Sequence, residues 1–259
     1  MKLASWNVNS LKVRLPQVLE WLARQNPDVV CLQETKLEND KFPALELEAA
    51  GYRCVWSGQK TYNGVAILSR RALATLATEM PAFADEQKRV ISASIGEGAD
   101  AIRVICVYVP NGQAVGTDKY EYKLRWLAAL RAWLEQELRS APRLAVLGDY
   151  NIAPADEDVH DPEAWRDRVL CSVPEREAFK KLLGVGLKDA FRLFAREEKS
   201  FTWWDYRTNG FKRNFGLRID HILLGQGLAT ECRACVIDLE PRRAERPSDH
   251  APIMAELEA

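Results

Sequence analysis

The sequence predicts an α/β protein built from two packed β-sheets covered by helices. Three observations predict it. Short apolar, strand-like runs recur along all 259 residues, helical spacing is confined to a few longer segments, and no Pro/Gly/Ser-rich linker or low-complexity stretch divides the chain. Strands outnumber helices, in βα order early and ββ order later. One domain over 1–259 is therefore expected.

"KLASWNV" reads as the first strand, and "RLPQVLEWLARQ" follows with Val18, Leu19 and Leu22 at helical spacing. "DVVCLQE" is a short buried strand. "YRCVWSGQ" and "GVAILSR" are two more, the second opened by the turn signal Asn63-Gly64. "VISASIG" and "AIRVICVYVP" read as an antiparallel pair joined by "GEGAD". Residues 119–139 form the clearest helix, with Leu124, Leu127, Leu130 and Leu134 as its apolar stripe. "RLAVLGDYN" is again a buried strand with a polar end, and "PEREAFKKLLGVG" is a helix closed by glycines. "FTWWDY", "RIDHILL", "ACVIDLE" and "HAPIMAELE" supply the last strands. "LASWNVNS" and "LAVLGDYNIAP" loosely echo one another, each an apolar strand ending in Asn, so each half offers a strand end to a shared cleft.

Hydrophobic content is 47% and charged content 28%, ordinary for a globular protein. The net charge of −1 provides no global field for nucleic acid, which argues against a simple DNA-coating protein. It leaves room for a metal-dependent nuclease, with carboxylates in the site and Lys and Arg on the approach; "DYRTNGFKRNFGLR" is such a local basic stretch. No uncharged apolar run approaches the ~18 residues that span a bilayer, so no membrane partner is expected. "MKLASWNVNS" lacks the apolar core of a signal peptide. Cys31 and Cys106 sit inside apolar strands, and the lone Cys232/Cys235 pair has no second pair to make a zinc site. Free thiols in a reducing, cytoplasmic compartment are expected.

The informative polar residues stand at strand ends, where a side chain is held rigidly at a cleft rim. Asn7 ends the first strand and Glu34 ends "DVVCLQE". Asp149 and Asn151 stand two apart, on one face if the chain stays extended. Asp220 interrupts an apolar strand, and burying it without a partner would cost several kcal/mol, roughly. Asp249 and His250 are neighbours in "RPSDHAPIM", boxed in by two prolines. Each has a structural explanation on its own: a cap, an Asx turn, a loop histidine. Together their oxygen donors suit a hard cation, Mg²⁺ or Mn²⁺, and with the His–Asp pair they point to phosphate-ester hydrolysis.

"WNVNSL", "LQETK", "YNGVAILSR", "VYVPNG", "GDYNIAP", "FTWWDYR", "GLRIDHIL" and "PSDHAP" occur in that order between residues 2 and about 256. This ordered set resembles the exonuclease III family of DNA-repair nucleases, within the endonuclease–exonuclease–phosphatase superfamily. The resemblance implies a DNase I-like four-layer sandwich, two mixed sheets flanked by helices, acting as a monomer. The implied activities are 3′→5′ exonuclease on double-stranded DNA, removal of 3′ blocks, and cleavage 5′ to abasic sites. Mg²⁺ is the implied cofactor, with Mn²⁺ a substitute; the implied partners are duplexes with abasic sites, nicks or blocked 3′ ends. Asn7, Glu34, Asp149, Asn151, Asp249 and His250 would surround the metal. Tyr108, Asp149, Asn151, Asp220 and His250 would carry the chemistry, with Asp220 orienting His250 and either Asp149 or His250 as base. Trp203, Trp204 and Leu217 would form a pocket or wedge for DNA, and Arg89, Lys119, Arg207, Lys212, Arg213 and Arg218 would meet phosphates. The segment "DEDVHDPEAWRDRVLCS" departs from the pattern by carrying bulky Trp165 and Leu170, which makes abasic cleavage less secure than 3′-end hydrolysis. The alternative is an inactive nucleic-acid-binding regulator of the same fold.

Overall fold

A computed structural model describes residues 1–258. In chain order its main elements begin with β1 (Lys2–Asn7), α1 (Leu11–Gln25), β2 (Val29–Gln33), α2 (Ala44–Ala49), β3 (Arg53–Ser57), β4 (Val65–Ser69) and β5 (Leu73–Ala77). The middle holds β6 (Val90–Ile95), β7 (Ile102–Tyr108), α3 (Asp118–Ser140), β8 (Leu144–Asp149), α4 (Pro162–Trp165), α5 (Val173–Gly184) and β9 (Leu187–Asp189). The last part holds β10 (Trp203–Trp204), α6 (Gly210–Arg213), β11 (Gly216–Leu217), β12 (Asp220–Gly225), α7 (Gln226–Glu231), β13 (Cys232–Ile237) and β14 (Ile253–Leu257).

Two six-stranded sheets run β13-β14-β1-β2-β4-β3 and β5-β6-β7-β8-β12-β9. Each is mixed, with one parallel pair at its centre, β1 with β2 and β7 with β8. Strand alternation sorts the side chains into three cores. Leu3, Val29, Cys31 and Ile67 of one sheet meet Ile91, Val104, Ala145, Leu147 and Ile222 of the other. The opposite face of the first sheet, Ala4, Trp6, Val30 and Leu32, packs under Val18, Trp21 and Leu22 of α1. The opposite face of the second, Ile105, Val107 and Val146, packs under α3 and α5. The result is four layers, helix, sheet, sheet, helix, as the sequence implied. Among the described residues, no helix is long and apolar enough to cross a membrane.

Three features depart from the sequence reading. The short strands β5, β9 and β11 and the short helices α2, α4, α6 and α7 stand where the sequence reading places no element; β5 lies at a sheet edge with exposed residues, so its sequence lacks a buried pattern. The buried stripe of α3 runs through Tyr120, Lys123, Trp126, Leu127, Leu130, Trp133 and Leu134, so a lysine is buried while Leu124 is only half-buried. Asp149 and Asn151 do not share an extended face, because Asn151 takes a left-handed conformation at φ 49°.

Gly148 shows how closely the sheet is drawn together beside Asp149. A Cβ there would stand 1.9 Å from the Val107 carbonyl oxygen. Gly148→Ala should therefore destabilise the protein by about 1–3 kcal/mol or more, read as a lowered melting temperature. Gly184→Ala, at the end of α5 with open space around it, should leave melting unchanged or slightly raised. Equal effects from the two would refute the packing account.

Candidate active site

Strand parity brings the site together. Leu3, Val29, Val104, Ala145 and Ile222 face the other sheet, so Asn7, Tyr108, Asp149 and Asp220 share that orientation at their strand ends. Asp220 stands directly opposite Asp149 in the antiparallel β8–β12 ladder, and Tyr108 opposite Asp149 in the parallel one. Glu34 follows β2 and would by alternation point to the helix side. A left-handed backbone, φ 52°, turns it into the cleft instead. Left-handed geometry at a glutamate is strained, and strain of this kind gathers at functional sites.

The Asn7 amide joins the two sheets. Its Nδ2 donates to Glu34 Oε1 at 2.9 Å and to Asp149 Oδ2 at 2.9 Å. Its Oδ1 accepts the Asn9 backbone N–H, which fixes which end of the amide is nitrogen. Lys36 Nζ holds the other Glu34 oxygen at 2.9 Å.

His250 is set by its backbone and by one carboxylate. The indole of Trp6 donates to the His250 carbonyl, Ser248 Oγ accepts the His250 N–H and donates to the Asn7 carbonyl, and His250 bridges to Trp203. Its Nδ1 donates to Asp220 Oδ2 at 2.8 Å, leaving Nε2 3.8 Å from Asp149 Oδ2. Burial alone would lower the imidazole pKa, but Asp220 and then Asp149 outweigh it and push His250 up to about 10. Burial first, and then the charge of Asp220, push Asp149 up to about 7, against the pull of His250, Asn7 and the Asn151 N–H. Burial and the charges of Glu34 and Asp149 raise the Tyr108 hydroxyl well above its usual value, so it carries its proton throughout the neutral range.

Glu34, Asp149 and His250 offer ligand atoms that all lie within 4.8 Å of one another. Two carboxylates, with the buried Asp220 Oδ1 lacking a partner behind them, make an anionic cluster fitted to a hard divalent cation. Three residues expected around the metal stand outside it. Asn7 presents its nitrogen. Asn151 has its Oδ1 occupied by Asn111 Nδ2 at 3.0 Å and one N–H on the Val109 carbonyl at 3.0 Å. Asp249 points away from His250, accepting from Asn9 Nδ2 and Trp203 Nε1.

The expected DNA-contacting residues divide. Arg89 lies over the Tyr108 ring at 4.7 Å and, with exposed Lys119, lines a cleft of about 610 Å³ that also includes Tyr108 and Asn111. Arg207, Lys212 and Arg213 are exposed, and Trp203 is half-buried with its indole on Asp249. Trp204, Leu217 and Arg218 are corrections: all three are buried. Trp204 packs with Phe201, Phe211 and Ala251. Arg218 is fully paired, to Asp158 at 2.6 Å and Asp189 at 2.8 Å, and cannot meet a phosphate. Asn9, Lys36, Asn111 and Ser248 were missed as individual residues although each lies within or beside a quoted motif. Their partners are distant in sequence, so only the fold exposes them.

Asp220 is the largest of the groups that raise the imidazole pKa, by its charge and by its hydrogen bond, which makes its part testable. Asp220→Asn should lower the His250 titration by about 1–3 pH units, read from its ring protons by NMR. A ring still titrating near 10 would remove Asp220 as the cause.

Comparison with known proteins identifies the family and the fold. A family model described as the endonuclease/exonuclease/phosphatase family matches residues 4–250. The chain is 38% identical to exodeoxyribonuclease III of Haemophilus influenzae, over 99% of this chain and 100% of that one. It is similar to the structure of a 3′ phosphatase from Neisseria bound to a product DNA hairpin, at 48% identity and TM-score 0.96, covering all of both chains. It is also similar to an AP endonuclease from Archaeoglobus fulgidus, at 38% identity and TM-score 0.94 over all of both chains.

Proposed function

The chain belongs to the endonuclease/exonuclease/phosphatase family, and from that premise we propose that it is a Mg²⁺-dependent DNA phosphodiesterase that hydrolyses duplex 3′ ends. The observation that carries this reading is the convergence of Glu34, Asp149 and His250 from three separate parts of the chain.

Glu34 and Asp149 would hold the metal, which when bound neutralises phosphate charge and favours attack by water. His250, with its Nδ1 on Asp220, would present Nε2 to a phosphate oxygen rather than to the metal. Asp149, bonded to Asn7 Nδ2 and 3.8 Å from His250 Nε2, stands where it can orient the attacking water or accept its proton. Asn151 keeps one amide N–H free after bonding the Val109 carbonyl, and that N–H would donate to charge developing on phosphorus. Tyr108, holding its proton, is a second such donor. One chain supplies every group, so a monomer suffices, and six free cysteines suit a reducing cytoplasm.

Substrate choice follows from a packed apolar cluster. Leu217, wholly buried, shares it with Val159, Leu170 and Cys171, with Trp165, Val169 and Trp203 packed against the cluster. Leu170 packs there from a left-handed backbone, φ 77°, a conformation that suits glycine. A sugar without a base would have to displace that leucine. Blocked 3′ ends and duplex ends are therefore the preferred substrates, with abasic sites behind them.

Labelled duplexes carrying a 3′-phosphate nick, a blunt end or an abasic site should show Mg²⁺-dependent products that EDTA abolishes, the first two fastest. Glu34→Ala should lose turnover while still binding DNA. No product on any duplex would reject the reading.

Leu170→Gly should relieve the backbone and open a cavity. Abasic incision relative to 3′-phosphate removal should rise about tenfold or more. An unchanged ratio would show that the leucine does not set selectivity.

A further inference from the structure

Lys123 lies on the apolar stripe of α3 with its side chain wholly buried, where a leucine would satisfy the packing. Its ammonium donates to the Asn151 carbonyl at 2.6 Å, to the Asn111 carbonyl at 3.2 Å, and to Glu175 Oε1. All three donors are thus used. Glu175 is equally buried and equally committed. Its Oε1 also accepts the Leu170 N–H at 3.0 Å, and its Oε2 accepts Ser172 N–H and Oγ, capping α5. One buried pair therefore ties together the β7–α3 loop with Asn111 and both ends of the β8–α5 connection, Asn151 at its start and Leu170 near its end.

Stability does not explain the pair. Taking two charges out of water costs several kcal/mol each, roughly, and apolar replacements of such pairs are often neutral or stabilising. What the pair does supply is direction. The two carbonyls it grips belong to the residues whose side chains interlock beside Asp149, and Gly112 packs its open face against the Lys123 stem, where a Cβ would stand at 3.1 Å. A third contact, Tyr120 Oη to Ser172 Oγ at 2.6 Å, closes the arrangement onto α3.

We propose that Lys123 and Glu175 are positioning residues: Lys123 fixes the Asn111–Asn151 amide pair for phosphate, and Glu175 fixes the Leu170 loop that packs with Leu217. The proposal rests on the phosphodiesterase reading above, and nothing about either residue touches substrate. The link is mechanical. Releasing the Asn151 carbonyl lets its amide swing, and misplacement of a catalytic group by about 1 Å can cost on the order of 100-fold in rate.

The test is Lys123→Met/Glu175→Gln, a pair matched in length that leaves no buried charge behind; the glutamine amide keeps one acceptor oxygen, enough for the Leu170 N–H or the Ser172 cap but not for both. Binding-competent protein is counted by stoichiometric titration with nicked duplex in EDTA, and turnover of the 3′-phosphate nick is expressed per competent molecule. Turnover should fall at least about tenfold, with KM within about twofold of the parent. Parent-level turnover per competent molecule would overturn the proposal. Loss of DNA binding in step with turnover would overturn it too, because the pair would then hold the fold and not the amides. Glu175→Gln alone, which keeps Lys123 in place, should raise abasic incision relative to 3′-phosphate removal, a ratio that partial unfolding cannot move; a constant ratio would overturn the assignment of Glu175. The parent's own turnover, measured alongside, tests the underlying activity separately.

Discussion

Everything in the cleft depends on one amide that must satisfy two carboxylates at once. Asn7 Nδ2 sits between Glu34 and Asp149, on the end of a strand in one sheet, and the carboxylates come from a loop beside it and from the other sheet. Asp220 adds a third carboxylate directly across the ladder. Burial first, and then the like charge of Asp220, raise the proton affinity of Asp149. Against the carboxylates stand one imidazolium and, at the rim, Lys36. Negative charge is left over, and it is held in place by a rigid framework. That surplus is what makes a dication the natural complement of the site.

The framework reaches this arrangement by keeping the alternation of strands and then breaking it at chosen residues. Asn7, Tyr108, Asp149 and Asp220 obey parity, so their placement follows from which face of each strand is apolar. Asn9, Glu34, Lys36 and Asn151 depart from it with φ values of 43°, 52°, 53° and 49°. Glutamate and lysine pay no attention to left-handed preferences on their own; each holds such a conformation only because β1, β2 and β4 hold the backbone around it, as in the bonds from Ser10 N–H to the Glu34 carbonyl and from Lys36 N–H to the Asn63 carbonyl.

This division explains what the sequence could reveal. Strand ends carrying Asn, Glu or Asp after apolar runs were readable, and so was the Asp220–His250 partnership through the motif resemblance. The direction of Asp249 was not. It adjoins His250, yet the bridge to Trp203 sends the two side chains to opposite sides, one to Asp220 and the other to Asn9 and Trp203. Nor was the burial of Arg218, because a basic residue in a basic stretch looks solvated until Asp158 and Asp189 are seen around it. Lys123 was hidden for a related reason. In a helical stripe a lysine reads as an interruption, and its partners lie 12, 28 and 52 residues away.

In the proposed reading, chemistry and selectivity fall to different parts of the fold. The phosphate-facing groups sit on strand ends that both sheets stabilise, so they have little freedom to change without loss of the fold. The segment that carries Leu170 is irregular and is held mainly by point contacts, among them the Leu170 carbonyl to Ala153 N–H, the Leu170 N–H to Glu175 and the bridge from Val159 to Leu217. Such a segment can exchange a leucine for a smaller residue without disturbing Asn7 or Asp149. A fold of this construction can alter which 3′ or abasic structures it admits while its phosphate machinery stays fixed.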